Sequence, residues 1–137
     1  MPQMVVGNIA LPYILPFILI EGGYNPTTGT ETAIYIQSCR NVVISDVIIE
    51  ELMSTPGITI DSSNVHIKDS MISNKGVAIY ATNRSKVTSK NNTGSSNTVV
   101  FKAGDGGFIY IKGLQPYGLS DKETSNGGYI FERGEDA

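Results

Sequence analysis

The sequence predicts an all-β protein, a single-stranded solenoid of parallel strands wound as a β-helix of about four to five short coils. Three observations predict it. The stretch 41–51, NVVISDVIIEE, and the stretch 64–74, NVHIKDSMISN, superpose after a shift of 23 residues at Asn41/Asn64, Val42/Val65, Ile44/Ile67, Asp46/Asp69 and Ile49/Ile72. Each apolar run is short and strictly alternating, the period of a strand with one buried face. No unit carries a clear helical stretch for a crossover, and most junctions lack the Asn-Gly or Asp-Gly of a tight hairpin.

Residues 1–32 are expected to form an N-terminal cap or a first partial coil. Their most apolar part, IALPYILPFILI at 9–20, is shorter than the roughly 20 residues of a membrane helix, and Pro12 and Pro16 would break one. The first 20 residues contain no Lys or Arg, so no signal peptide and no membrane span are read here. FILI reads as a strand. The Ile9–Ile20 segment is expected to be buried, at an end of the solenoid or against another subunit, because a solvated apolar run invites aggregation. With no obvious cap after Met1-Pro2-Gln3, the chain is expected to be part of a longer fibre.

Residues 33–113 carry the coils. Their first strands, AIYI, GITI, GVAI and TVVF, open on Ile34, Ile58, Val77 and Val99. Polar turns follow: QSCRN, DSSN, ATNRS and KAGDGG. Second strands then place Val42/Ile44, Val65/Ile67, Val87/Ser89 and Ile109/Ile111 at one phase, with Ile18/Ile20 one unit earlier. Asp46, Asp69, Asn91 and Gly113 close these segments. Stacked in parallel, like residues lie over like at about 4.8 Å. The apolar residues should then fill buried rows, Tyr35, Thr59 and His66 should face outward, and Ser, Thr and Asn should satisfy the turns. A competing reading makes VIIEELM, after Ser45-Asp46, a short capped helix. The weak helix formers Ser70, Ser73 and Asn74 at matching positions disfavour it. Residues 114–137 should form a loop, one further strand at Tyr129–Phe131 and an acidic tail.

Composition bounds the rest. The 137 residues are 40% hydrophobic and 17% charged, with a formal net charge of −3. Such a chain has no overall electrostatic case for nucleic acid or anionic lipid. Cys39 is the single cysteine, which excludes an intrachain disulfide and a Cys-based metal site.

The phrases GITIDSSNVHIKDSMISNKGVAIY and AIYIQSCRNVVISDV resemble repeats of right-handed parallel β-helices of the pectate-lyase-like superfamily. Phage tailspikes and tail appendages belong to the same architectural group. The resemblance covers roughly residues 33–113, and it implies the architecture far more sharply than the function, since the same coil serves lyases, hydrolases, adhesins and virion spikes. It also implies trimers about the solenoid axis. In lyase-like members, acidic side chains on the coil exterior hold Ca²⁺; in hydrolase-like members, two or three Asp gather near one strand.

Candidate chemistry rests on Asp46 and Asp69, stacked in neighbouring coils as a catalytic or Ca²⁺-holding pair, and on Asp61 in another turn. The alternative is an Asx ladder that turns the chain, continued by Asn91, and the ordinary neighbours Ser45, Val47, Lys68 and Ser70 favour it. No other cofactor is expected. Adjacent Glu50 and Glu51 would face opposite ways on a strand. His66 lies between inward residues and reads as surface. Asn83-Arg-Ser and Asn91-Asn-Thr match glycosylation acceptors in a chain rich enough in these residues for chance matches. The glycines of 103–107 read as a tight turn. Tyr35, Tyr80 and Tyr110 should project outward, as a rim that stacks on sugar rings or that packs against a neighbour.

Two functions compete. One is a structural, glycan- or receptor-binding module of a viral fibre, spike or surface assembly, located on a virion or cell surface. Its partners would be copies of itself, as a homotrimer, and a surface polysaccharide or receptor. The other is a polysaccharide lyase or glycoside hydrolase acting through Asp46, Asp61 and Asp69. A short solenoid, about 20 Å tall at four coils, offers a lyase groove little room, and the first reading is favoured.

Overall fold

A computed structural model describes residues 3–6, 9–12, 18–20, 32–50 and 53–133. The strands are β1 (Gln3–Val6), β2 (Ile9–Pro12), β3 (Ile18–Ile20), β4 (Ile34–Gln37), β5 (Val42–Ser45), β6 (Ile48–Ile49), β7 (Met53–Asp61) and β8 (Asn64–Lys68). They continue as β9 (Met71–Ile72), β10 (Lys75–Thr82), β11 (Lys86–Lys90), β12 (Asn97–Ala103), β13 (Phe108–Lys112), β14 (Gly118–Thr124) and β15 (Tyr129–Arg133). Each coil visits the same faces in turn. The first sheet runs β14-β12-β10-β7-β4-β1-β2, the second β15-β13-β11-β8-β5-β3, and β6 and β9 make a short third. Pairing is parallel from coil to coil, so the chain is a parallel β-helix. Among the described strands the antiparallel pairs are those of β1, with β2 and with β4, at the first sheet's edge.

The second sheet keeps the register the sequence predicts. Ile18, Val42, Val65, Val87, Ile109 and Ile130 form one row, and Ile20, Ile44, Ile67, Ser89, Ile111 and Glu132 another. Val42, Ile44, Val65, Ile67, Val87, Ile109 and Ile111 are all buried. In the first sheet one expectation fails. Ile34 pairs with Ile58, but Ile58 pairs with Ile79, and Ile79 with Phe101. Val77 meets Pro56 and Val99 instead. The cause lies in β7, which begins at Met53, well before the apolar run at Gly57–Ile60, and a bulge shifts the register of β7 and β10 between Lys75 and Val77. Counting from each strand's first apolar residue therefore lands one alternation early.

Thr59 is a second correction, because it is buried, at 9% exposure. It holds an outward register position between Tyr35 and Tyr80, which flank it, and its hydroxyl bonds Thr32 at 3.2 Å. The segment after Asp46 is strand β6, not a helix. Beyond residue 113 the solenoid continues through both β14 and β15. There the inward positions change character: Lys122 lies beside Phe101, Glu132 beside Ile111, and these two charges pair with each other. The acidic tail after Arg133 and the side-chain burial of Ile9–Ile20 lie outside the described residues. No helix of the described residues is long and apolar enough to cross a membrane.

Buried polar ladders close the turns. Ser63 and Ser85 accept from the backbone N–H groups of Cys39 and Ser63, one coil apart in each case. Ser70 accepts from Val47 N–H, and Asn92 Oδ1 from Ser70 N–H. Asn97 uses both ends, accepting from Lys75 N–H and donating to the carbonyls of Ile72 and Tyr117. These side chains replace strand hydrogen bonds where the chain bends, which lets a buried backbone change direction. The turn at 103–107 is closed to larger residues, since a Cβ on Gly107 would stand 2.4 Å from the Ala81 carbonyl oxygen.

Ile67 sits fully buried between Ile44 and Ser89. Ile67→Ala should lower the unfolding free energy by about 2–5 kcal/mol, read by denaturant titration. A loss well under about 1 kcal/mol would mean that the row is not packed.

Candidate functional site

Strand alternation decides which residues of the second sheet meet solvent. On β8, β11 and β13 the residues flanking the buried Val/Ile positions turn outward and are half-buried or exposed. Three outward rows result. Asn64, Lys86, Phe108 and Tyr129 form the first; Val43, His66, Thr88, Tyr110 and Phe131 the second; Lys68, Lys90 and Lys112 the third, where Arg133 holds the next register position. Two stacked ring pairs stand in this face. Phe108–Tyr129 and Tyr110–Phe131 each have centroids 5.6 Å apart and planes 16° apart. Tyr129 is 55% and Phe131 41% exposed, so the stacks leave apolar ring surface in water.

The lysines are the second component. Ion pairs include Lys102–Glu123, at 3.4 Å, and Lys122–Glu132, and neither of these involves Lys68, Lys86, Lys90 or Lys112. His66 senses this charge. Burial, then the positive charges of Lys68 and Lys90, hold its imidazole below its ordinary pKa, while Asp69 pulls weakly the other way. The face is therefore cationic and aromatic at once, on a protein whose net charge is negative.

The carboxylates singled out from the sequence fall on two corners. Asp46, Asp69, Asn91 and Gly113 share a turn position with φ of 57°, 52°, 54° and 72°. Asx residues and glycine tolerate this left-handed geometry, which gives these positions a conformational role. Asp46 accepts from the Ser45 hydroxyl at 3.0 Å. Asp61 lies at the other end of β8 from Asp69, so the three carboxylates do not converge. Burial pushes the Asp61 carboxyl up, but hydrogen bonds from Asn83, Ser62, Tyr35 and Gln37 outweigh it and hold the pKa below the usual value. Tyr35, Asn83 and Ser62 each donate at 2.9 Å. Asp61 is thus the anchor of a turn.

Ca²⁺ takes about six to eight oxygen ligands, and among the described residues no three His, Cys, Asp or Glu side chains gather to hold a metal. Asp46 and Asp69 are exposed at this left-handed turn.

The tyrosines divide as well. Tyr35 and Tyr80 share an outward row of the first sheet, separated by Thr59. Tyr35 donates to Asp61, and Lys102 Nζ stands 5.3 Å from the Tyr80 ring centroid. Tyr110 belongs to the second sheet and its aromatic stack. The sequence reading missed Phe108, Tyr129, Phe131 and the lysines. The signal was present: Lys68, Lys90 and Lys112 recur every 22 residues, in phase with Val65, Val87 and Ile109.

Residues 23–121 match the family described as right-handed beta helix region, and the chain belongs to that family. A search of curated proteins and one of solved structures each returned no match.

If the Asp46 position is conformational, Asp46→Gly should keep wild-type stability to within about 0.5 kcal/mol, as Gly113 does naturally in the same ladder. Asp46→Ala should cost about 1 kcal/mol or more. Equal losses in chemical denaturation would show that the carboxylate itself matters.

Proposed function

We propose that this member of the right-handed β-helix family is a non-catalytic carbohydrate-binding module of a virion or cell-surface assembly. The observation that carries the proposal is the exposed pair of aromatic stacks on the second sheet. Flat apolar rings held by a rigid sheet suit stacking against sugar rings, with little side-chain entropy left to lose. Side chains that reach solvent around them, Thr88, Asn64 and Lys86, supply hydrogen-bonding groups for hydroxyls.

Association belongs to the same reading. Leu114, Tyr117 and Leu119 are 60%, 75% and 91% exposed near the C-terminal coil, apolar surface that a neighbouring copy would cover. A homotrimer about the solenoid axis would repeat the aromatic face around the assembly.

Phe131→Ala and Tyr129→Ala should each weaken binding to the best ligand of a polysaccharide panel by about tenfold, measured by calorimetry, with the fold retained. Undiminished binding would move the site elsewhere. Release of reducing ends or unsaturated sugars, abolished by replacing Asp46, Asp61 or Asp69, would instead establish the lyase or hydrolase reading.

A further inference from the structure

One stack of turns joins the first sheet to the second. Thr82–Ser85, Gly104–Gly107 and Ser125–Gly128 are each closed by a bond from the fourth residue's N–H to the first residue's carbonyl. Their central pairs, Asn83-Arg84, Asp105-Gly106 and Asn126-Gly127, have positive φ at both positions, the geometry of a type I′ turn. Of the chain's asparagines, Asn126 alone precedes a glycine. Elsewhere a side chain or a proline ring on the following residue hinders its nitrogen from reaching the amide carbon. Asn126 and Gly127 are both exposed. In the two preceding turns the next coil holds the second central N–H: Arg84 donates to the Asp105 carbonyl and Gly106 to the Asn126 carbonyl, each at 3.0 Å. Gly127 N–H is the next donor of this series, and among the described residues no strand follows β15 to receive it. The Asn126 side chain donates from Nδ2 to Asp105 Oδ1 at 3.0 Å.

We propose that Asn126-Gly127 is a self-modification site, where the folded protein converts an asparagine into aspartate and isoaspartate with water as the co-reactant. The Gly127 backbone nitrogen, its proton removed by hydroxide, attacks Asn126 Cγ. An N–Cγ bond forms and the Cγ–Nδ2 bond breaks. Nδ2 takes a proton from water and leaves as ammonia, which restores the hydroxide and leaves a cyclic imide. Water then opens the ring. Cleavage of the N–Cγ bond gives aspartate; cleavage at the Asn126 backbone carbonyl carbon gives isoaspartate, whose main chain runs through Cβ and Cγ. Opening of the outermost described coil, where a solenoid frays most readily, frees the nitrogen to attack. Both products replace the donor that Asp105 accepts from with a second carboxylate, and like charges across neighbouring coils repel. Isoaspartate also adds one main-chain atom to a turn that sets the register of β15. That strand carries Tyr129 and Phe131, so the modification loosens the outer ring of each aromatic stack.

The experiment ages the full chain, folded, in mildly alkaline buffer made with heavy-oxygen water, beside Asn126→Ser. Serine holds the same left-handed position at Ser38 and Ser62, so this variant keeps the turn and removes the amide. Samples are digested in ordinary water, and mass spectrometry follows the tryptic peptide 123–133, in which Asn126 is the single amide side chain. Heavy oxygen in that peptide marks amide lost from the folded protein rather than during digestion. Isoaspartyl methyltransferase labelling counts the isoaspartate, and hydrogen exchange reads the protection of the β15 amides. Loss of the Asn126 amide ahead of Asn83 and Asn91, with isoaspartate formed and β15 protection falling in step, supports the proposal. Asn126→Ser should keep its β15 protection over the same period. Retention of the Asn126 amide for as long as those of Asn83 and Asn91 overturns the site. Amide loss with β15 protection unchanged overturns its coupling to the last coil. An equal fall of protection in Asn126→Ser overturns the assignment to Asn126.

Discussion

Every feature of this molecule depends on the coil-to-coil register of its backbone hydrogen bonds. A parallel strand pairs only if the chain returns, after each circuit, to the same height and phase. One residue too many at a turn would send an entire buried row into water. The turns must therefore be fixed as tightly as the strands. Left-handed residues stack at Ser38, Ser62, Asn83, Asp105 and Asn126 on one corner, and at Asp46, Asp69, Asn91 and Gly113 on another. Buried Ser63, Ser85, Ser70, Asn92 and Asn97 bind the backbone groups that the bends release. Much of the Asx and Ser content is thus spent on geometry, and Asp46 and Asp69 hold left-handed turn positions in the same ladder as Asn91 and Gly113.

The same register turns a one-dimensional repeat into a two-dimensional surface. A residue type recurring once per coil becomes a column at strand spacing, whatever its chemistry. Inside, the columns are Ile and Val and supply the core. Outside, they are Lys in one row and aromatic rings in the next. A globally acidic chain can in this way carry a cationic face, because net charge sums over positions that the fold separates.

How much of this was legible in the sequence follows from where each signal lives. The second strands were readable to the residue, because β5, β8, β11 and β13 are short and begin immediately at their turns, as Val42, Val65, Val87 and Ile109 show. The first strands were misphased at the step from Ile58 to Val77, since β7 extends upstream of its apolar run and pairs with β10 through a bulge that alternation does not reveal, whereas Val77 and Val99 pair as read. The outward face was harder. Tyr35 and Tyr80 alternate as Tyr110 does, and only the sheet assignment separates the pair tied to Asp61 and Lys102 from the one stacked on Phe131. β14 was missed because its residues are mostly exposed and polar, and its pairing with β12 depends on the coil before it.

Register is the central claim, and a change of coil number tests it. Each coil contacts mainly its neighbours, so a solenoid accepts whole repeats and rejects fractions. Duplicating residues 70–91 in tandem joins Asn91 to Ser70 as Asp69 is joined in the native chain, and it adds one complete coil. The measurement is the thermal midpoint of that variant beside one that duplicates only residues 70–80. The full-coil insertion should unfold cooperatively at the wild-type midpoint or above it, and the half-coil insertion well below. Equal destabilisation by the two insertions would contradict the account.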